Sequence, residues 1–159
     1  MRTRLAHALL GEAVRRFKER SQAPMLASAS AYFAQITGGE FEGLVNDDRE
    51  SAQAIAGRRA GGALVPIEAM SEGTRDQLYL ALRLAALELQ RERGVDLPVI
   101  LDDVLMAADD ERAACVFRAL SRFAHGGQVI VFSHHRHLCE VARGAVGEAG
   151  VGVVELQRG

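Results

Sequence analysis

The stretch Pro98-Val-Ile-Leu-Asp-Asp-Val-Leu-Met-Ala-Ala-Asp109 sets the architecture of this chain. Val99, Ile100 and Leu101 form a short apolar run that ends on two adjacent carboxylates, Asp102 and Asp103. Such a run, following a helical segment, predicts a buried parallel strand. Open α/β sheets place their ligands at the carboxyl ends of such strands. Carboxylates are costly to bury there unless they meet a metal, a proton or a water. The competing structural role is helix capping, which suits Asp109 and Asp110 better than Asp102 and Asp103. The pair therefore reads as one carboxylate for Mg²⁺ and a second for a water that attacks a nucleotide triphosphate.

Working outward, a strand is expected over Gln128–Phe132 beyond a helix from about Asp110 to Phe123. The resulting strand–helix–strand unit implies a parallel pair with a right-handed crossover. Ser133-His134-His135-Arg136-His137 follows the second strand, then a short helix over Leu138–Ala142 and a last strand over Val151–Leu156. Upstream, Arg75–Arg93 reads as one long helix capped by Thr74 or Ser71 and ended by Gly94. Its leucines at 78, 80, 82, 84, 87 and 89 leave little polar face, so most of it is expected to be buried. Strands are expected at Phe41–Val45, Ala52–Ala56 and Ala63–Ile67. The turns at Asn46-Asp47-Asp48 and at Gly57–Gly62 make an antiparallel meander the simplest arrangement. Asp47, Asp48 and Glu50 are better read as exposed turn carboxylates than as a cation site. Met25–Ile36 is a helix with Leu26, Ala29, Phe33 and Ile36 on one face, stopped at Thr37-Gly38-Gly39. Leu5–Arg20 is an amphipathic helix with an arginine-rich outer face.

The 159 residues suit a domain with a real core, and a net charge of −2 gives no global field for nucleic acid. Residues 1–20 are locally basic, with six Lys or Arg against two acids. Cys115 and Cys139 lack metal-ligand spacing and read as small core residues of a reducing compartment. No apolar run reaches membrane length and no signal-peptide pattern opens the chain, so the cytoplasm is the expected location and no membrane partner is expected. The chain has a single lysine, Lys18, with no glycines before it. A phosphate-cradling P-loop needs both, so an ATP site is not expected to be complete within this chain.

Several motifs now line up in chain order. Met70-Ser-Glu-Gly-Thr-Arg-Asp-Gln-Leu-Tyr-Leu-Ala-Leu-Arg-Leu-Ala85 resembles the signature motif and helix of ABC-type ATPases, particularly the SMC-like branch. Val99-Ile-Leu-Asp-Asp103 resembles the Walker B strand, Val131-Phe-Ser-His134 resembles the strand and H-loop histidine after it, and Asp109 falls where the D-loop aspartate belongs. The chain is most similar to the C-terminal part of YhaN-like AAA ATPases, relatives of the SMC and double-strand-break-repair ATPases. The resemblance covers roughly Ala23 to the C-terminus.

The resemblance implies an α/β fold: the C-terminal half of an ABC/SMC-type head, with parallel strands flanked by helices, a small antiparallel meander and a helical coiled-coil stub over residues 1–22. It implies that Asp102 orients Mg²⁺ through water, Asp103 polarises the attacking water, and His134 contacts the γ-phosphate and positions that water. Ser71 and Gly73 complete the ATP site of a second head, and Asp109 links the two sites. The partners implied are an N-terminal lobe carrying Walker A, a second head and DNA. The process implied is DNA repair or chromosome maintenance. Four positions depart from the family pattern: Met70 for Leu, Glu72 for the first Gly, Thr74 for Gln and Asp103 for Glu. Glu72 and Asp103 favour an alternative, a non-catalytic dimerising or regulatory module with an ABC-like fold. A weaker alternative is a metal site at His134, His135 and His137.

Overall fold

The computed structural model describes residues 23–47, 54–105 and 108–156. The expected helix at Leu5–Arg20, and with it the 1–22 stub, lies outside the described residues, as do Asp48 and Glu50.

Residues 23–36 form helix α1. Ala29, Tyr32, Phe33 and Ile36 are fully buried, the spacing of one helical stripe. The helix stops where Thr37 Oγ1 donates to the Phe33 carbonyl at 2.8 Å and Gly38 and Gly39 take φ of 63° and 85°. The meander follows as β1 (Phe41–Asp47), β2 (Ala54–Arg59) and β3 (Leu64–Pro66), antiparallel in the order β1-β2-β3. A bulge between Phe41 and Gly43 seats the sheet on α1, where Leu44 N–H donates to Ser30 Oγ at 2.8 Å and any side chain at Gly43 would collide with Ser30.

The second strand differs from expectation. Gly57, expected in the turn, lies within β2, which runs on to Arg59. The Phe41 ring and Met70 press against the Gly57 backbone, closer than a Cβ would allow, so the glycine serves packing. Likewise Ile67 leaves the sheet after Pro66 and enters a 3₁₀ turn, Ile67–Ala69.

Helix α2 runs Glu72–Glu92. Leu78, Ala81, Leu84 and Ala85 are buried, whereas Tyr79 and Leu87 are exposed and Leu80 and Leu82 half-buried. The expectation that most of α2 is buried is therefore corrected: one stripe is covered, and the apolar residues off it are half-buried or exposed. A polar clamp ties α1 to the far end of α2, with Ser28 Oγ and Tyr32 Oη both donating to the Glu88 carboxylate. Burial, and then the neighbouring Glu88 charge, push the Tyr32 phenol up to about 12.

The second sheet has two strands, β4 (Val99–Asp102) and β5 (Val129–Phe132), parallel and in register from Val99↔Val129 to Asp102↔Phe132. Helix α3 (Asp110–Ala124) links them, burying Ala113, Val116, Ala119, Leu120 and Phe123. Arg91 of α2 donates to the Phe123 carbonyl at 2.9 Å and lies over its ring, 4.2 Å from the centroid. Helix α4 (His137–Val146) packs Leu138 and Ala142 inward. The expected strand at Val151–Leu156 is not formed: residues 151–156 have no strand assignment and are mostly exposed. The β-branched residues are there, but no strand among the described residues lies beside them to supply the ladder.

One feature of the β4/β5 sheet is unusual. Val99 and Leu101 are buried, while Ile100 is 61% exposed and Phe132 43% exposed on the opposite face. Parallel sheets are normally covered on both faces. Among the described residues this face is only partly covered, and no strand pairs with the outer edge of β4 or of β5.

Candidate active site at the ends of β4 and β5

Alternation along β4 puts Asp102 on the partly covered face with Ile100, and its carboxylate is exposed. Asp103 leaves the strand in a left-handed conformation, φ 48°, with its N–H donating to the Phe132 carbonyl at 3.0 Å. This turn separates the two carboxylates. Asp103 faces the end of β5, where both its carboxylate oxygens lie 3.2 Å from His134 Nδ1. A carboxylate accepts, so Nδ1 is the donor of this pair.

Asp109 stands apart, as the N-cap of α3. Its Oδ1 accepts from Arg112 N–H at 2.8 Å, which is the capping role its position before a helical pattern predicted. Ser71 caps α2 in the same way, accepting from Thr74 N–H at 3.2 Å, with the Ser71 and Thr74 hydroxyls 2.8 Å apart. Thr74 is buried and Ser71 exposed, so the threonine holds the serine from below. The sequence reading missed a link between these two caps. Arg112 lies 3.6 Å from Asp109 Oδ2, and its Nη1 lies 3.6 Å from the point a Cβ at Gly73 would occupy. Nothing local signals a contact between a first-turn arginine of α3 and a first-turn glycine of α2.

The predicted residues thus fall into two groups. Asp103 and His134 meet directly, with Asp102 beside them, and Arg112 bridges Gly73 and Asp109. Among the described residues, no hydrogen bond or ion pair joins Ser71 or Gly73 to Asp102, Asp103 or His134. The donor set suits a hard cation: Asp102 offers one exposed carboxylate, which fits Mg²⁺ held largely through water. It does not suit zinc. His134 is committed to Asp103, His137 approaches Asp110 at 3.7 Å, and the described residues contain no group of three or more His, Cys, Asp or Glu side chains placed to hold a metal.

No family model matches the chain. YhaN of Bacillus subtilis, an uncharacterised protein, is 30% identical over 115 residues, which is 72% of this chain and 12% of YhaN. Among solved structures, one from work on ATP-driven dimerisation and DNA-stimulated activation of SMC ATPases aligns over 80% of this chain and 77% of its own, with a TM-score of 0.63 and 21% identity. The fold is that of an SMC ATPase head. The SMC head domain of Thermotoga maritima agrees, with a TM-score of 0.56 at 20% identity over 82% of this chain and 44% of that head. The chain spans less than half of the Thermotoga head and about an eighth of YhaN. Among its described residues, no helix is long and apolar enough to cross a membrane.

Proposed function

We propose that this chain is the C-terminal lobe of an SMC-like ATPase head, which an N-terminal lobe carrying Walker A completes for ATP hydrolysis. The observation that carries this reading is the two-stranded parallel sheet, only partly covered on the face where Asp102 projects. A carboxylate beside exposed Ile100 and Phe132 reads as a half-site: it could hold Mg²⁺, and among the described residues no lysine-bearing glycine loop lies beside it to cradle phosphate. In the completed head Mg²⁺ would neutralise charge on the transferring phosphoryl group. Asp102 would hold that ion through water. Asp103 would polarise the attacking water and, through its contact with Nδ1, orient His134, whose ring would meet the γ-phosphate. Ser71 and the first-turn amides of α2 would grip the γ-phosphate bound to a second head. Their separation from Asp103 and His134 suits a site assembled between two heads. Arg112 and Asp109 would register one site against the other.

The relatives point to head dimerisation: ATP-driven dimerisation and DNA-stimulated activation are named for the SMC ATPases whose structure this chain resembles. We carry both to this chain as expectations, with a role in DNA repair or chromosome maintenance. The testing experiment is ATP turnover by the longer protein proposed to contain this chain, or by the chain co-expressed with a separate lobe carrying Walker A, compared with the Asp103→Asn variant. Loss of turnover supports the reading. Unchanged turnover removes Asp103 from the chemistry and favours the non-catalytic dimerising module, a reading that Glu72 in the first turn of α2 also suits.

A further inference from the structure

The segment between β5 and the first turn of α4 carries three histidines, His134, His135 and His137, of which the proposed mechanism uses only the first. Their rings form a row. The His134 and His135 centroids lie 4.0 Å apart with the planes inclined by 37°, and those of His135 and His137 lie 5.7 Å apart, edge to face at 61°. Each end of the row meets a carboxylate. His134 Nδ1 is 3.2 Å from both oxygens of Asp103, and His137 Nε2 is 3.7 Å from Asp110 Oδ1. Asp103 follows β4, whereas Asp110 is the first residue of α3, next to the N-cap Asp109. The row therefore spans from the carboxylate at the strand ends to the N-terminus of α3.

The backbone fixes the middle ring. His135 N–H donates to Ser133 Oγ at 3.2 Å, and the His135 carbonyl accepts from Leu138 N–H at 3.2 Å. Leu138 is buried, so this loop is anchored in the core one residue beyond His137. His135 is half-buried, while His134 and His137 are exposed. The segment gives up local helix stability to hold this arrangement. Helices α2 and α3 are capped by Ser71 and Asp109, but α4 has Arg136 at its N-cap, makes no side-chain capping bond there and opens on His137. A local rule broken without a local gain marks a functional position. The need is plain at His134. The last torsion of a histidine side chain is broad, and an exposed ring held only by its contact with Asp103 can turn about it. A second ring against its face removes that freedom.

From this geometry we propose that His135 and His137 are positioning residues for ATP hydrolysis: His135 holds the His134 ring at the angle the γ-phosphate requires, and His137 braces His135 against Asp110. Neither touches the nucleotide; both act through His134. The inference rests on the half-head reading and deepens it by naming what orients the histidine of that site. The row also gives Asp110 a role apart from that of Asp109, which caps α3 through its own carboxylate and leaves the Asp110 side chain to His137.

Steady-state ATP turnover tests this, in the longer protein proposed to contain this chain or in the chain co-expressed with a lobe carrying Walker A. His135→Ala should lower kcat about three- to tenfold, the weight of one aromatic pair, and leave KM for ATP unchanged, because the ring angle matters only as the phosphate reacts. His135→Phe keeps a ring in the row and should restore most of the loss. His137→Ala, at an exposed ring, should lower kcat in the same direction by a smaller factor. An unchanged kcat in His135→Ala would overturn the inference. So would a loss that phenylalanine does not restore, or a fall in kcat with a rise in KM, which marks general damage to the site. An unchanged kcat in His137→Ala would end the row at His135 and overturn its extension to Asp110. In each of these cases turnover that still depends on Asp103 leaves the half-head reading standing. Absence of Asp103-dependent turnover from the unmodified protein defeats that reading itself, and this inference with it.

Discussion

His134 Nδ1 lies 3.2 Å from both carboxylate oxygens of Asp103, a residue 31 positions earlier, on the neighbouring strand end. The left-handed turn at Asp103 makes this possible, because it swings the second carboxylate away from the face that Asp102 occupies. The pair acts as a unit if the histidine does the work at the phosphate. In the longer protein, His134→Ala should then lower kcat about 10²- to 10⁴-fold. Asp103→Ala added to it should cost far less than it does alone. Steady-state turnover of the two single variants and the double variant checks this; full additivity would mean that the two residues act separately.

The capping role of Ser71 can be separated from the role we propose for it at a second head. As the N-cap of α2 it accepts from Thr74 N–H, so Ser71→Ala should lower stability by about 1 kcal/mol and Ser71→Gly by only a few tenths. The hydroxyl that we propose faces a second head is lost equally in both variants. Denaturant unfolding should therefore distinguish the variants, while nucleotide-dependent dimerisation, measured by sedimentation, should fall alike in both. Dimerisation that tracks stability would reduce Ser71 to a cap.

The Tyr32–Glu88 hydrogen bond at 3.2 Å joins α1 to α2 inside the core. The folded state keeps the Tyr32 proton up to about 12, against 10 for an ordinary phenol. Its contribution is fully present below pH 10 and is lost as pH rises from 10 through about 12, since the unfolded chain gives up the proton first. Tyr32→Phe should cost about 1 kcal/mol at neutral pH for the lost hydrogen bond and should flatten the stability loss in that alkaline window. Unfolding free energies at pH 8, 10 and 11 would measure both effects.

Leu84 is fully buried on the covered stripe of α2, whereas Leu87 is exposed one turn on. Leu84→Ala should cost about 2–5 kcal/mol in this chain. Leu87→Ala should cost little here. If the missing lobe covers that side of α2, Leu87→Ala should cost more in the longer protein. Thermal unfolding of both variants in both contexts separates core residues from residues awaiting a partner.

Local pattern carried most of the fold. The 3–4 spacing of α1 and α3, the glycine stop at 38–39 and the apolar runs of β4 and β5 were legible because each depends on its own residues. Gly57 misled, because a glycine in a turn and a glycine under an aromatic ring look alike in sequence. The leucines of α2 and the valines of residues 151–156 misled for a common reason: both segments have the composition of buried elements, and what would bury them is not among the described residues. At the site, the order of the carboxylates and of His134 was readable, and so was the capping by Ser71 and Asp109. The Asp103–His134 contact, the Glu88 clamp and the Arg112 bridge were not, because each joins residues on different elements and has no local signature.

The most direct measurement is ATP turnover by this chain alone and by the longer protein proposed to contain it, each with and without Asp103→Asn. The account predicts no turnover from the chain alone, because its one lysine, Lys18, has no glycines before it to form a P-loop, and Asp103-dependent turnover from the longer protein. Turnover by the chain alone that Asp103→Asn abolishes would contradict the half-site, and turnover by the longer protein that the substitution leaves untouched would contradict the assignment of the site.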